Sequence, residues 1–300
     1  LSATATGATS DISSTAPQIT TSGASGITLN AGRDLNFSTT GMVTSTGNGA
    51  VSLTAGRNAY LAPIYSGTGA LTVNAVDVYL YGADITTGLM GYWNFNAGSG
   101  TAAADSSGNG NNGTLMNTAS WSSDTHTGSG YSLSLTAAND YVNVPNSASL
   151  SATTGYTLSL WLKPSASTVG YAAHPVNKWS GTADANYVLY YFGTTSGADR
   201  AIKLYANEGG TWQAGSGTYT APLGSWVNVA VSYNAASGGQ LYINGVPYST
   251  RVGGGTLATN SLNLKFGDTS GSFPGLIDDI RMYNTSLSAG AISQLYSGTS

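Results

Sequence analysis

Few side chains in this sequence are equipped for chemistry. Its 300 residues hold 13 acids, of which Glu208 is the one glutamate, two histidines and no cysteine. Without thiolates there is no cysteine nucleophile, no disulfide and no cysteine-ligated metal. Hydrolysis of a glycosidic bond needs two facing carboxylates at about 5 Å or about 6.5 to 9.5 Å, one protonated and one ionised. Glu208 stands alone in Asn207-Glu208-Gly209-Gly210, which reads as a turn. His126, in Asp124-Thr125-His126-Thr127-Gly128, and His174, in Ala173-His174-Pro175, read as solvated loop residues. Neither lies near a Gly-x-Ser-x-Gly elbow. The chain is not expected to be an enzyme.

Binding chemistry is better represented. Asp105, Asn109, Asn111 and Asn112 bring carboxylate and amide oxygens into a loop with Gly108, Gly110 and Gly113, which tolerate positive φ. Calcium takes about six to eight such oxygens, backbone carbonyls included. A second acidic element is Asp278-Asp279, and adjacent acids in a strand cannot share a face. Asp278 has the parity of Ile280 and Met282, so it is predicted to point inward, where an unpaired charge is costly. Either the strand bulges there or a cation or an arginine neutralises it. Calcium is the expected cofactor, and the alternative is an Asp-capped turn with Asp278 bonded to backbone. The chain also carries 19 Tyr and six Trp. A flat ring can stack on the apolar face of a pyranose, and Tyr171, Trp179, Trp212 and Tyr219, in or beside loops, are the candidate ligand surface.

The elements that must position these residues are strands. Only 7% of residues are charged, against a usual value near 25%, and the net charge is −4. No basic stripe is present to neutralise phosphates, so nucleic acid is not an expected partner. No apolar run approaches the roughly 18 to 20 residues of a membrane span, and no signal-type segment opens the chain. It starts at Leu1 and is read as part of something longer. Short apolar-alternating runs rich in Val, Ile, Tyr and Thr, punctuated by Gly, Asn and Ser, predict an all-β molecule. The one helical candidate is Ser288 to Tyr296, with Ser288 as N-cap and no glutamate to complete a capping box.

The first 87 residues repeat. Ile27-Thr28-Leu29-Asn30-Ala31-Gly32-Arg33-Asp34 recurs as Val51-Ser52-Leu53-Thr54-Ala55-Gly56-Arg57-Asn58, and a degraded copy follows as Leu71-Thr72-Val73-Asn74-Ala75-Val76-Asp77. Such periods signal solenoids, whose coils share one core only when stacked. Each copy has the shape of one coil of a parallel β-helix. This region resembles the repeats of filamentous-haemagglutinin-type bacterial surface adhesins, which implies a right-handed β-helix over 1–87 and an extracellular or cell-surface location.

Past Gly88 the periodicity stops. Runs at 141–144, 156–162, 187–192, 201–205, 226–233, 240–243, 262–266 and 277–283 predict two packed antiparallel sheets, and Asn244-Gly245 is the strongest hairpin signal. Gly91-Tyr92-Trp93-Asn94-Phe95, Asp105 to Leu115, Leu158-Ser159-Leu160-Trp161-Leu162 and Gly275 to Asn284 make 89–300 similar to laminin-G-like jelly rolls of the concanavalin A-like type. That resemblance implies core positions for Trp93, Trp161 and Trp226. It also implies a metal between the Asn/Gly loop and the terminal-strand acid, that is, a calcium ion joining Asp105, the loop and Asp278. Nothing matches the Glu-x-Asp-x-x-Glu strand of related glucanases. The expected function is recognition of a glycan or other cell-surface ligand, and the alternative is a structural cap that binds nothing.

Overall fold

A computed structural model describes residues 2–5, 12–14, 19–21, 26–37, 43–45, 50–61, 64–65, 71–75, 77–80, 85, 87–167, 171–179, 188–208, 211–214, 217–252, 254–269, 271 and 273–297, with 2–5, 12–14, 19–21, 36–37, 43–45, 58, 60–61, 64–65, 71, 77–80, 204–208, 211–214 and 251–252 by backbone alone. The chain divides into two compact units, the larger spanning Ile85–Ser297 and the smaller built from the N-terminal residues.

Among the described residues of the N-terminal unit every strand pairing is parallel. Ser2–Ala5, Ile27–Ala31, Val51–Ala55 and Leu71–Asn74 form one sheet, Ile12–Ser14, Leu35–Phe37, Asn58–Leu61 and Asp77–Leu80 a second, and Ile19–Thr21, Val43–Ser45 and Ile64–Tyr65 a third. The copies meet in sequence register, Ile27 beside Val51, Leu29 beside Leu53 and Ala31 beside Ala55, and these six apolar side chains are buried together. The intervening residues face the other way, as a period of two requires. The turn that follows has no room for a side chain: a Cβ on Gly56 would come within 2.1 Å of the Gly32 carbonyl oxygen. Beside it, Arg57 of the second copy reaches back to Asp34 of the first, its Nε donating to Oδ1 at 2.9 Å and its Nη2 to Oδ2.

The larger unit holds two antiparallel sheets. In one, the order is Ser120–Ser122, Ser132–Leu135, Gly275–Tyr283, Gly155–Pro164, Val227–Asn234, Gly238–Ile243 and Val246–Val252, with Leu89–Trp93 also paired to Gly275–Tyr283. In the other it is Ala102–Ala103, Gly113–Met116, Tyr141–Val144, Leu264–Gly267, Ala172–Asn177, Val188–Phe192, Ala201–Glu208 and Thr211–Ala214, with Tyr219–Thr220 on Ala201–Glu208. Alternate residues of both sheets, among them Leu158, Leu160, Leu162, Ile280 and Met282 on one side and Val142, Val144, Phe266 and Tyr191 on the other, form a single core. Trp93 is fully buried there, edge-on to Phe266 at 4.8 Å. The predicted hairpin is present, with Asn244 and Gly245 at φ of 50° and 75°, the pair of left-handed residues that a tight type I′ turn demands. The helix Ala289–Ser297 is capped by Ser288, whose Oγ accepts from the Ala291 N–H at 3.2 Å, and it buries Ala291, Ile292 and Leu295. Tyr187 lies outside the described residues.

Candidate functional site

The Asp105 loop folds as a hydrogen-bonded staple. One carboxylate oxygen accepts from the backbone N–H groups of Tyr92 and Ser107, the other from that of Asn111, each at 2.9 Å. Asn112 Oδ1 accepts from the Asp105 N–H, while the amide groups of Asn109 and Asn111 donate to the carbonyls of Leu89 and Met90. Gly108 and Gly110 adopt φ of 89° and 73° with open space around them. A carboxylate offers about four lone-pair directions, and three here already accept backbone N–H groups.

Asp278 does not join this loop. It is 3% exposed, and its Oδ2 pairs with His126 Nδ1 at 2.8 Å. The reason lies in the strand. Against Ser159 to Trp161 the Gly275–Tyr283 strand inserts one extra residue, and Asp279 takes a φ of 51°. This bulge flips parity, so Ile277 and Ile280 both face the core while Asp278 turns to the opposite face, beside Trp161. The inward placement predicted for Asp278 is thereby overturned in favour of the bulge given as its alternative, and the partner its carboxylate takes is His126 rather than a residue of the Asp105 loop. Asp279 pairs with Arg281 at 3.4 Å, and Arg281 lies over the Tyr92 ring at 4.4 Å. Trp161 is likewise outside the core. It stacks on His126 at 4.5 Å and on Tyr296 at 5.5 Å, with Trp226 edge-on to His126 at 6.3 Å and bonded through Nε1 to Asp124. Burial pushes the Asp278 carboxyl above its ordinary range, with Asp279 adding to the effect and His126 opposing it.

A second, more open aromatic group lies on the other sheet. Along Val188–Phe192, Leu189 and Tyr191 enter the core, so Val188, Tyr190 and Phe192 face the opposite side, where they cluster with Trp179. Tyr190 stacks on Phe192 at 5.5 Å, and Tyr171, 62% exposed, stands edge-on to Phe192 at 5.5 Å. Trp179 also lines a groove with Ser261, Leu262, Asn263 and Lys265. Its position is set from below by Lys178, fully buried, whose Nζ donates to the carbonyl and amide oxygens of Asn260 at 2.8 and 2.9 Å while Asn260 Nδ2 donates back to the Lys178 carbonyl. Burial lowers the Lys178 pKa to about 8. His174 stands edge-to-face with Tyr190 at 4.9 Å and Trp179 at 5.6 Å, and its Nδ1 meets Asp268 Oδ2 at 2.9 Å. Burial alone would raise the Asp268 pKa, but His174, the Thr269 N–H and Lys265 together hold it below the ordinary value.

A family model described as the concanavalin A-like lectin/glucanases superfamily, of laminin G type, matches residues 136–293, more than half of the chain. The chain belongs to that superfamily. No curated protein sequence matches it. Among solved structures, domain 4 of AbnA, a GH43 extracellular arabinanase from Geobacillus stearothermophilus in complex with arabinotriose, is similar at 21% identity and a TM-score of 0.54, over 69% of this chain and 98% of that one. The binding domain of botulinum neurotoxin DC in complex with SialylT is similar at 14% identity and a TM-score of 0.53, over 72% of this chain and 52% of that one. The binding domain of Paraclostridial mosquitocidal protein 1 gives 14%, 0.54, 70% and 52%. The chain thus spans about half the length of these two toxin domains, and the likenesses show a shared fold.

In this concanavalin A-like unit the predicted ligand residues do not all meet. Tyr171 and Trp179 share one face, whereas Tyr219 packs against the core and stands edge-on to Tyr248 at 5.4 Å. Trp212 lies in the strand Thr211–Ala214, and its side chain falls outside the described residues. Both histidines, expected in solvated loops, are instead largely buried partners of aspartates, with side chains 14% and 13% exposed. Their partners lie 152 and 94 residues away, a separation that no local motif signals. No helix of the chain's described residues is long and apolar enough to cross a membrane.

Proposed function

We propose that this concanavalin A-like unit is a carbohydrate-recognition module that acts without catalysis at or outside a bacterial cell surface. The observation that carries this reading is the two-tier aromatic face: exposed Tyr171 and half-buried Trp179, backed by Phe192, Tyr190 and His174, beside a groove with the polar groups of Ser261, Asn263 and Lys265. Rings held by other rings lose little freedom on binding, which is what a sugar-stacking surface needs. The arabinotriose complex of the arabinanase domain and the SialylT complex of the toxin domain support the same reading for this fold. We further infer that the three parallel sheets are the faces of a short right-handed β-helix over 1–87, acting as the stalk of an adhesin that carries the module of 89–300. Calcium, in this reading, is held weakly by the Asp105 loop alone, through the remaining carboxylate lone pair, an Asn amide and the carbonyls of Gly108 and Gly110.

The test is a glycan array followed by calorimetry on the whole chain. Dose-dependent binding should fall about tenfold or more in Tyr171→Ala and in Trp179→Ala and stay unchanged in Tyr131→Ala, an exposed tyrosine elsewhere. A purely structural unit would show no saturable binding to any glycan.

A further inference from the structure

We infer that His174 sets whether the aromatic face prefers neutral or acidic sugars, and that Asp268 is the positioning residue through which it does so. The inference rests on the recognition reading above. Asp268 is 8% exposed and accepts from the Thr269 N–H at 2.6 Å, from Thr269 Oγ1 at 3.2 Å and from His174 Nδ1, with Lys265 Nζ at 3.7 Å. An ionised carboxylate in that position keeps the imidazole proton on Nδ1 and leaves Nε2 as an acceptor. Nε2 makes no hydrogen bond with any described residue, although the ring sits directly against Tyr190 and Trp179. The aromatic face therefore carries an acceptor beside it that a sugar hydroxyl can satisfy and a sugar carboxylate cannot.

Protonation inverts this. The imidazolium presents an Nε2–H donor and adds a positive charge to a face whose other charged groups are few. Lys265 and Asp268 lie on one flanking strand and the turn after it, and Lys203 stands opposite Tyr190 on the other side. On His174's own strand and just beyond it, the charge is that of Lys178, turned to Asn260. Of these side-chain types imidazole is the one that ordinarily changes charge between about pH 5 and 7, and Lys178, lowered to about 8, changes mainly above that window. Acidification should thus favour uronate or sialate over neutral sugar.

The experiment measures, for the whole chain at pH 5 and pH 7, below the range in which Lys178 loses its charge, the affinity ratio of trigalacturonate to galactotriose. The expected result is a rise of about tenfold or more in that ratio at pH 5, the size of one charge-assisted hydrogen bond. His174→Asn, whose amide N–H can take the Nδ1 place at Asp268 but which lacks Nε2, should stay folded and give a pH-independent ratio. In Asp268→Asn the midpoint of the change should move to lower pH, because the imidazolium loses its counter-charge. Nitrogen NMR of the two histidines, assigned by the signal missing from either His126→Asn or His174→Asn, should show the His174 Nε2 resonance of the wild type shifting when galactotriose is added at pH 7. A ratio that is flat in the wild type, or that changes equally in His174→Asn, or an Nε2 resonance indifferent to bound sugar, overturns the inference while leaving recognition intact. Absence of binding to every sugar at both pH values overturns the recognition reading and this inference with it.

Discussion

The two sheets of the sandwich each carry a histidine–aspartate pair on the face turned away from the core, and the pairs are built for opposite ends. On the first sheet His126 closes over Asp278, with Trp161 stacked on the imidazole and Tyr296 stacked on Trp161. Besides the His126 ring, the one donor that Asp278 meets among the described residues is that residue's backbone N–H, at 3.5 Å, and Asp279 is a neighbour, so desolvation dominates and its carboxyl titrates high. On the second sheet Asp268 has the Thr269 N–H and hydroxyl and Lys265 besides His174, and titrates low. Equal chemistry and similar burial thus give opposite shifts, and the number of donors decides the sign. The first pair latches the 122–130 segment to the sheet, and the second holds a ring in one tautomer beside an open groove.

Removing one carboxylate breaks that comparison most strongly. Asp278→Ala leaves a buried histidine and a bulge without their shared bond and should cost about 3 kcal/mol, lowering Tm by roughly 6 to 12 °C in calorimetry. The milder Asn replacements should then separate the pairs by pH. Asp268, depressed in the folded state, contributes stability that is present above the ordinary aspartate range and lost as pH falls through its folded value. Asp278, raised in the folded state, contributes stability that is present at acid pH and lost as pH rises through its folded value. Measured as Tm from pH 3 to 7, the deficit of Asp268→Asn should grow with pH and that of Asp278→Asn should shrink; parallel curves would erase the distinction.

A smaller effect belongs to Lys178. Its folded pKa of about 8 lies below the ordinary lysine value, so the folded state binds fewer protons between about pH 8 and 10.5 and gains stability as pH rises across that window. Denaturant midpoints at pH 7.5 and 10 should show this gain in the wild type and its loss in Lys178→Met. The smallest expected change is that on adding EDTA. With three lone-pair directions of Asp105 already accepting backbone N–H groups, chelation should shift the Tm of the sandwich by less than about 2 °C, since a weakly held ion contributes little near its Kd. A drop of several degrees would show calcium to be integral to the loop.

What was legible in the sequence was what local spacing encodes. Asn244-Gly245 announces its hairpin because only left-handed residues make that turn, and Ser288 announces its helix because its hydroxyl caps it. The register of Val51 on Ile27 follows from the repeat itself. The strand Ala172–Asn177 went unread because Pro175 reads as a breaker, although it forms part of the interior pairing between Leu264–Gly267 and Val188–Phe192. Its pairing is irregular between Ala173 and Val176, where the proline sits. Asp278 is expected in the interior only if a period of two runs through a strand that in fact inserts one residue at Asp279, whereas the core position of Trp161 comes from the family resemblance against its own parity, opposite to that of Leu158, Leu160 and Leu162. Of the candidate site, the ring types at Tyr171 and Trp179 were visible, while His174 and Asp268 become neighbours only once two strands of the sheet pair.

The bond from Arg57 back to Asp34 makes the N-terminal copies non-interchangeable. Arg57 needs a carboxylate one copy earlier, and Asp34 supplies it. At the next step the position of Asp34 is taken by Asn58, and the copy beyond it has lost its Gly-Arg pair, reading Ala75-Val76-Asp77 with Asp77 beside Asn58 in register. Donor and acceptor disappear together. Exchanging the second and third copies would set Asp34 against a valine and Arg57 against Asp77, so the pair joining the first copy to the second is lost, and it works as an address label that records which repeat follows the first. Recombination between near-identical repeats, the ordinary hazard of a repetitive gene, would be penalised here by a mismatched charge even where every apolar side chain still fits.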